Sequence, residues 1–227
     1  MKDANLGTTN YIDIEDLAIV NKVKELTSGC ESEGEKLKAI FYFVRDDIPY
    51  NMYAVSGNAE DYKASRILSA GKGFCIQKAI LFTALSRAAG IPSRLVIVAI
   101  RNHLISSEVV ELLGGNLFFP HGYSQVWLND RWVNIAATFD QPLCERMGAA
   151  AADFDGQNDT LLPKTDLKGN PFIEYIDHHG IYADLPWDYI MEKMPVYYDE
   201  RWQIWFGDEM EALRQKYDGA RTDQDKQ

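Results

Sequence analysis

The sequence predicts an α+β domain in which N-terminal helices pack on a small antiparallel sheet of at least three strands. Three observations carry that expectation. Apolar residues recur at helical spacing up to Gly90. Gly90-Ile91-Pro92 then ends the last of these helices, because Gly suits a helix C-terminus and Pro prevents continuation. Beyond it the period changes to that of strands, and Asn129-Asp130 stands between two strand-like runs as a hairpin turn signal.

Taken in order, Ile14 to Leu26 places Ile19, Val20, Val23 and Leu26 on one helical face, and Thr27-Ser28-Gly29 ends it. A second helix over Glu33 to Asp47 has the stripe Leu37, Ile40, Phe41 and Val44, with Pro49 as its stop. Residues 51–64 read as an irregular excursion, followed by a short helix over Ala64 to Leu68. Ala70-Gly71-Lys72-Gly73 breaks the chain. From Cys75 a helix apolar nearly all round its axis runs to Gly90, as expected of one buried in the middle of the domain.

Strands are expected over Arg94 to Arg101, Gly122 to Leu128 and Arg131 to Ala137. His103 to Pro120 reads as a long loop, of the kind that is usually functional or mobile. After Asp140 the pattern weakens into short apolar pieces, then a strongly aromatic stretch over Tyr189 to Phe206. The expected organisation is one domain over 1–217, with a core at about 14–140, an extension at about 141–217 and a polar tail over 218–227.

The chain has 227 residues, 46% of them hydrophobic, enough for a substantial core without a metal or disulfide staple. Thirty-four acidic residues against 23 Lys plus Arg give a net charge of −11, and the basic residues are scattered singly. Nucleic acid and anionic membrane are therefore poor partners. No apolar run has the length of a transmembrane helix, and the N-terminus lacks the pattern of a signal peptide. Cys30, Cys75 and Cys144 are widely separated, without the spacing of a zinc site or a disulfide framework. The chain reads as a reduced, cytoplasmic, bacterial-type protein with no cofactor and no metal. His178-His179 is expected in an exposed turn rather than on an ion, since adjacent side chains seldom converge.

Two residues point to chemistry. Cys75 follows Gly-Lys-Gly-Phe at the start of the buried helix, where the dipole and free N–H groups favour a thiolate and can receive an oxyanion. A free Cys is more often a small core residue. His121 enters the predicted hairpin, where it can serve a cysteine as general base or sit as a hydrogen-bonded structural histidine.

Three blocks together resemble the transglutaminase-like superfamily of papain-related cysteine enzymes. They are KLKAIFYFVRDDIPY (36–50), SRILSAGKGFCIQKAILFTALSRAAGIPSRLVIV (65–98) and HGYSQVWLNDRWVNIAATFD (121–140). They span about half the chain in the family's order. The resemblance implies a papain-like, transglutaminase-core fold, with Cys75 at the nucleophile position and His121 at that of the general base.

The third catalytic position departs from the family pattern. Where the family has an Asp four residues after the hairpin Trp, counting from Trp132 gives Ala136. In a Ser-protease triad, loss of the orienting Asp costs about 10⁴-fold in kcat. A two-residue turn pairs Leu128 with Arg131 and, by ideal register, His121 with Thr138, which makes Thr138 the nearest replacement. Asn134 offers an amide, as Asn does in papain-like enzymes, but lies further along; Asp140 falls at or beyond the sheet's end. The extension resembles that of a bacterial subgroup often lacking the Asp. Within it Asp155 or Asp184 can supply an acid, although turn chemistry is the commoner role for such residues.

The expected function is a cysteine-dependent acyl-transfer enzyme that hydrolyses an amide, peptide or ester, with a peptide, protein or small molecule as substrate. The rival expectations are a catalytically impaired peptide- or partner-binding module, for which Ala136 argues, and a repurposed Cys/His enzyme on a small carbonyl compound. The aromatic run Trp187, Tyr189, Tyr197, Tyr198, Trp202, Trp205 and Phe206 either lines a cleft or packs across the domain. Monomer and dimer both remain open.

Overall fold

The computed structural model describes residues 5–207. The polar tail expected over 218–227 lies outside the described residues. Helix α1 (Leu17–Leu26) begins where the Asp16 carboxylate accepts the Ala18 N–H, three residues later than its apolar pattern suggests. Helix α2 (Glu33–Tyr42) is capped by Ser32 and widens into a π-helical turn, Phe43–Asp47, rather than staying regular to Asp47. The Arg45 carbonyl of that turn finds no N–H at Pro49, and the buried Lys78 amine takes it instead, donating to Arg45 O at 3.0 Å and also to Ile48 O, just past the turn, at 2.7 Å.

Helix α3 (Ala64–Ala70) ends on Gly71, whose φ of +63° is left-handed and suits the residue. Helix α4 (Cys75–Ala88) is buried at every position from Cys75 to Arg87, as its all-round apolarity predicts.

The sheet has four strands, β1 (Ser93–Asn102), β2 (Leu117–Leu128), β3 (Arg131–Ile135) and β4 (Ile173–Tyr182), in the order β3-β2-β1-β4. All neighbours are antiparallel. Asn129 and Asp130 both take positive φ, 51° and 60°, so the β2–β3 turn is the tight primed type, with Leu128 opposite Arg131.

Three expectations are corrected. The stretch 103–120 is not a loop: Ser106 caps helix α5 (Ser107–Leu113), Gly114 ends it, and β2 starts at Leu117. Pro120 hides that early start, because it sits in β2 at the bulge where the register against β1 shifts between Val98 and Ile100. His178 and His179 lie in β4, since β1 has an open edge that the extension fills. The third expected strand is shorter than predicted, ending at Ile135 before Ala136 and Ala137.

Helix α6 (Gln141–Met147) is capped by the buried Asp140, whose other oxygen accepts the Tyr50 N–H at 2.7 Å. Helix α7 (Trp187–Tyr198) and a 3₁₀ segment, Asp199–Phe206, close the described chain. Two apolar clusters result. One lies between the sheet and α4 and is built around Leu95, Ile97, Ala99, Val126 and Leu128. The other covers the opposite face with Val96, Val98, Tyr123, Ala136, Phe139 and Phe172. No helix among the described residues is long and apolar enough to cross a membrane.

Candidate active site

The site is assembled where the start of α4 meets β2. The Gly73 loop is stitched to the segment after α2: Gly73 donates to Pro49 O at 3.2 Å, and Asn51 donates to Gly73 O at 3.0 Å. Phe74 precedes the helix and offers no side-chain acceptor, although Gln77 Oε1 reaches back to the Phe74 N–H at 3.3 Å. The N–H groups of Cys75 and Ile76 are thus left near the Cys75 sulfur, where the Gly122 N–H from β2 joins them. All three favour a negative charge there. The thiol itself donates to Pro120 O, with Sγ at 3.7 Å.

Gly122 makes this approach easy. A Cβ at that position would stand 2.6 Å from Ile76 Cδ1 but 3.4 Å from Ile76 Cα, so a side chain would have to displace the end of Ile76 rather than the helix backbone. Deeper along the contact, Ser124 Oγ donates to Ala79 O at 3.0 Å and lies 3.0 Å from Thr83 Oγ1. These bonds hold β2 on α4 and fix the register that presents Gly122.

His121 pairs with Val98 across β1–β2 and is only 2% exposed. Its Nε2 has no hydrogen-bond partner among the described residues. The nearest ring with a defined geometry is Tyr175, edge-on at 6.2 Å. Burial pushes the imidazole down to about 3. Burial likewise pushes the Cys75 thiol up to about 12, overriding the three N–H groups. The two residues line one cavity without a hydrogen bond between them, and burial opposes charge on either.

The third position is apolar in fact as well as in sequence. Ala136 is 1% exposed, and its cluster includes Phe139, Leu162 and Phe172, the last two from the extension. Its N–H donates to Thr160 O, and Thr160 N–H donates to Asn134 O, so residues around Thr160 run beside the end of β3.

Neither sequence-derived replacement reaches His121. Pairing of β2 with β3 stops at Ser124–Ile135, so the ideal register never extends to His121 and Thr138; Thr138 is buried beyond the strand. Asn134 shares that sheet face but stands opposite Gln125, four residues along β2 from His121, and is engaged there, accepting from Gln125 at 2.8 Å and donating to Asp159 at 2.7 Å. Asp155 closes its own turn by accepting the Gln157 and Asn158 N–H groups. Asp184 holds the N-terminal segment through the Asn10 and Tyr11 N–H groups, and Asp140 caps α6.

The cavity measures about 530 Å³. The aromatic run contributes Trp187, Tyr198, Trp205 and Phe206 to its wall, so packing across the domain and lining a cleft prove to be one arrangement. Tyr198 accepts the Phe119 N–H at 2.9 Å, two residues before His121. Tyr50, Phe139, Met147 and Arg146 also line it. His179 lies elsewhere, with its nitrogens 2.8 Å from Tyr189 Oη and 2.7 Å from Tyr197 Oη, so it ties β4 to α7.

Sequence reading missed Gly122, Tyr50 and Arg146 as parts of the site, while Tyr198 was among the aromatic residues expected either to line a cleft or to pack across the domain. Gly122 carried a signal, a glycine directly after the candidate base; the others come together only through packing.

The family model described as the transglutaminase-like superfamily matches residues 20–137, more than half of the chain and the whole Cys75–His121 unit. The chain belongs to the transglutaminase-like superfamily. No curated protein matches it. Similar solved structures include a candidate cysteine protease from Cytophaga hutchinsonii, at 15% identity and a TM-score of 0.47 over 80% of this chain and 54% of that one. The periplasmic domain of TgpA from Pseudomonas aeruginosa matches at 19% identity and a TM-score of 0.42, over 63% and 50% respectively. An arylamine N-acetyltransferase from Mycobacterium abscessus matches at 14% identity and a TM-score of 0.41, over 69% and 50%. The chain thus spans about half the length of these solved chains.

Proposed function

We propose that the protein is a cysteine-dependent acyl-transfer enzyme that hydrolyses an ester or amide with an apolar acyl group. The observation that carries this reading is the Cys75 sulfur at the start of α4, facing the N–H groups of Cys75, Ile76 and Gly122 in a cavity that also holds His121. Cys75 Sγ attacks the carbonyl carbon, forming the C–S bond. The thiol proton passes to His121, while the carbonyl electrons move onto oxygen beside backbone N–H groups. Collapse of the adduct expels the leaving group, which takes the proton from His121. Water then attacks the thioester, giving a proton to His121, and Cys75 leaves as the thiol.

A neutral resting pair fits such a path if the proton moves as the bond forms, and catalytic hydrogen bonds often tighten only in the complex. A binding module is the second reading, favoured by the partnerless His121 Nε2 and the apolar surroundings of Ala136. Incubation with 4-nitrophenyl dodecanoate separates the two. The enzyme reading expects nitrophenol release and a dodecanoyl adduct on the Cys75 peptide by mass spectrometry. Ester binding without an adduct and without turnover selects the module.

A further inference from the structure

The cavity wall carries one formal charge among the described residues, the Arg146 guanidinium on α6. The rest of the wall is mainly aromatic and aliphatic; Leu143 and Met147 share α6 with Arg146, and Tyr50 and Phe139 belong to the same apolar cluster as those two. Arg146 is exposed, and no carboxylate or other acceptor holds it among the described residues. Its neighbour Glu145 is occupied by Gln141, whose Nε2 donates to it at 2.9 Å. The helix C-terminus favours a cation in this turn, but does not require its contact with an apolar cavity. The chain's charge of −11 repels anions, so an anionic ligand needs such a local counter-charge.

We propose that the substrate is an amphipathic acyl compound, an apolar body bearing a distal anionic group that Arg146 pairs while the acyl carbon lies at Cys75. This rests on the acyl-transfer reading for its chemistry, and on the cavity alone for its recognition. A volume of about 530 Å³ suits a small molecule of one to two dozen heavy atoms better than a folded partner. The planar guanidinium fork suits a carboxylate bidentately. Apolar body and anion therefore have separate places in one wall.

Binding tests this without turnover. Trp187 and Trp205 line the cavity, so tryptophan fluorescence reports occupancy. Dodecanoate is expected to bind about tenfold more tightly than dodecanol in the wild type at low salt. Arg146→Gln is expected to remove that preference while leaving dodecanol affinity within twofold, and Arg146→Lys to keep part of it. Equal affinity for the two probes, an unchanged preference in Arg146→Gln, or failure of both probes to bind overturns the proposal. Turnover forms a separate arm. Hydrolysis of the mono-4-nitrophenyl ester of dodecanedioic acid should show a KM raised about tenfold in Arg146→Gln, at least about fivefold more than the rise shown by the neutral dodecanoyl ester; an equal rise for both esters overturns the pairing. Dodecanoate preference without any turnover would remove the acyl-transfer reading and leave the anion site standing.

Discussion

The two faces of the sheet have gone different ways. On the α4 face, glycine, serine and threonine hold strand and helix close, and backbone N–H groups converge on Cys75. The opposite face carries His121 and Ala136, the residue at the position that the family resemblance gives to an acid, and the extension covers that face with Leu162, Phe172 and Tyr175. Backbone N–H groups face the sulfur where the fold itself supplies them. A carboxylate is absent where a buried charge would face hydrocarbon and tyrosine rings. The difference teaches that backbone N–H groups persist with the fold, whereas a side-chain acid needs its own polar surroundings.

The largest expected effect falls on the α4 face. Cys75→Ser should lower ester hydrolysis by about 10³-fold or more while leaving the urea midpoint nearly unchanged. A serine variant with substantial turnover would show that the N–H cluster serves something other than a thiol nucleophile.

Ala136→Asp probes the other face. If the apolar cluster has closed that position, the new carboxylate should destabilise the fold by about 2–4 kcal/mol in urea titration and fail to raise activity. Raised activity without loss of stability would break the comparison, since His121 would then have kept room for an acid.

Gly122→Ala tests the close approach. Its methyl must displace the Ile76 side chain, at a cost of about 1–2 kcal/mol, and should lower kcat more than it raises KM by shifting an oxyanion donor.

The smallest effect is a pH dependence. His121 is pushed down to about 3 when folded, against about 6.5 unfolded, so the unfolded chain binds more protons between those values and stability falls as pH drops. From pH 7 to 5.5 the loss from this residue should be about 1 kcal/mol. His179 is shifted in the same direction, so the informative quantity is the difference between wild type and His121→Gln, whose stability should vary less with pH. An identical pH slope in the two proteins would mean that the imidazole is hydrated or protonated in the folded state.

Much of the frame was legible in residue order. The buried helix from Cys75, the Asn129-Asp130 hairpin and the break at Gly90-Ile91-Pro92 depend on neighbours within one element, so periodicity and turn chemistry suffice. Helix α5 was not legible, because a seven-residue helix between a capping serine and a glycine is too short to show a period. Strand β4 was missed for a different reason: Asp177-His178-His179-Gly180 has the polarity of a turn and is a strand only because β1 offers it an edge.

By itself the sequence determined the family, the positions of Cys75 and His121, and the absence of an acid at Ala136, because identity and spacing are properties of the chain. Tertiary structure decided what those residues meet. Strand β3 ends at Ile135 and leaves Thr138 without register to His121, while Asn134 turns to Asp159. Burial opposes charge on both Cys75 and His121, and one Arg stands alone in an apolar wall among the described residues. Desolvation, strand length and the convergence of distant segments are set by packing over long sequence separations, and no local pattern encodes them.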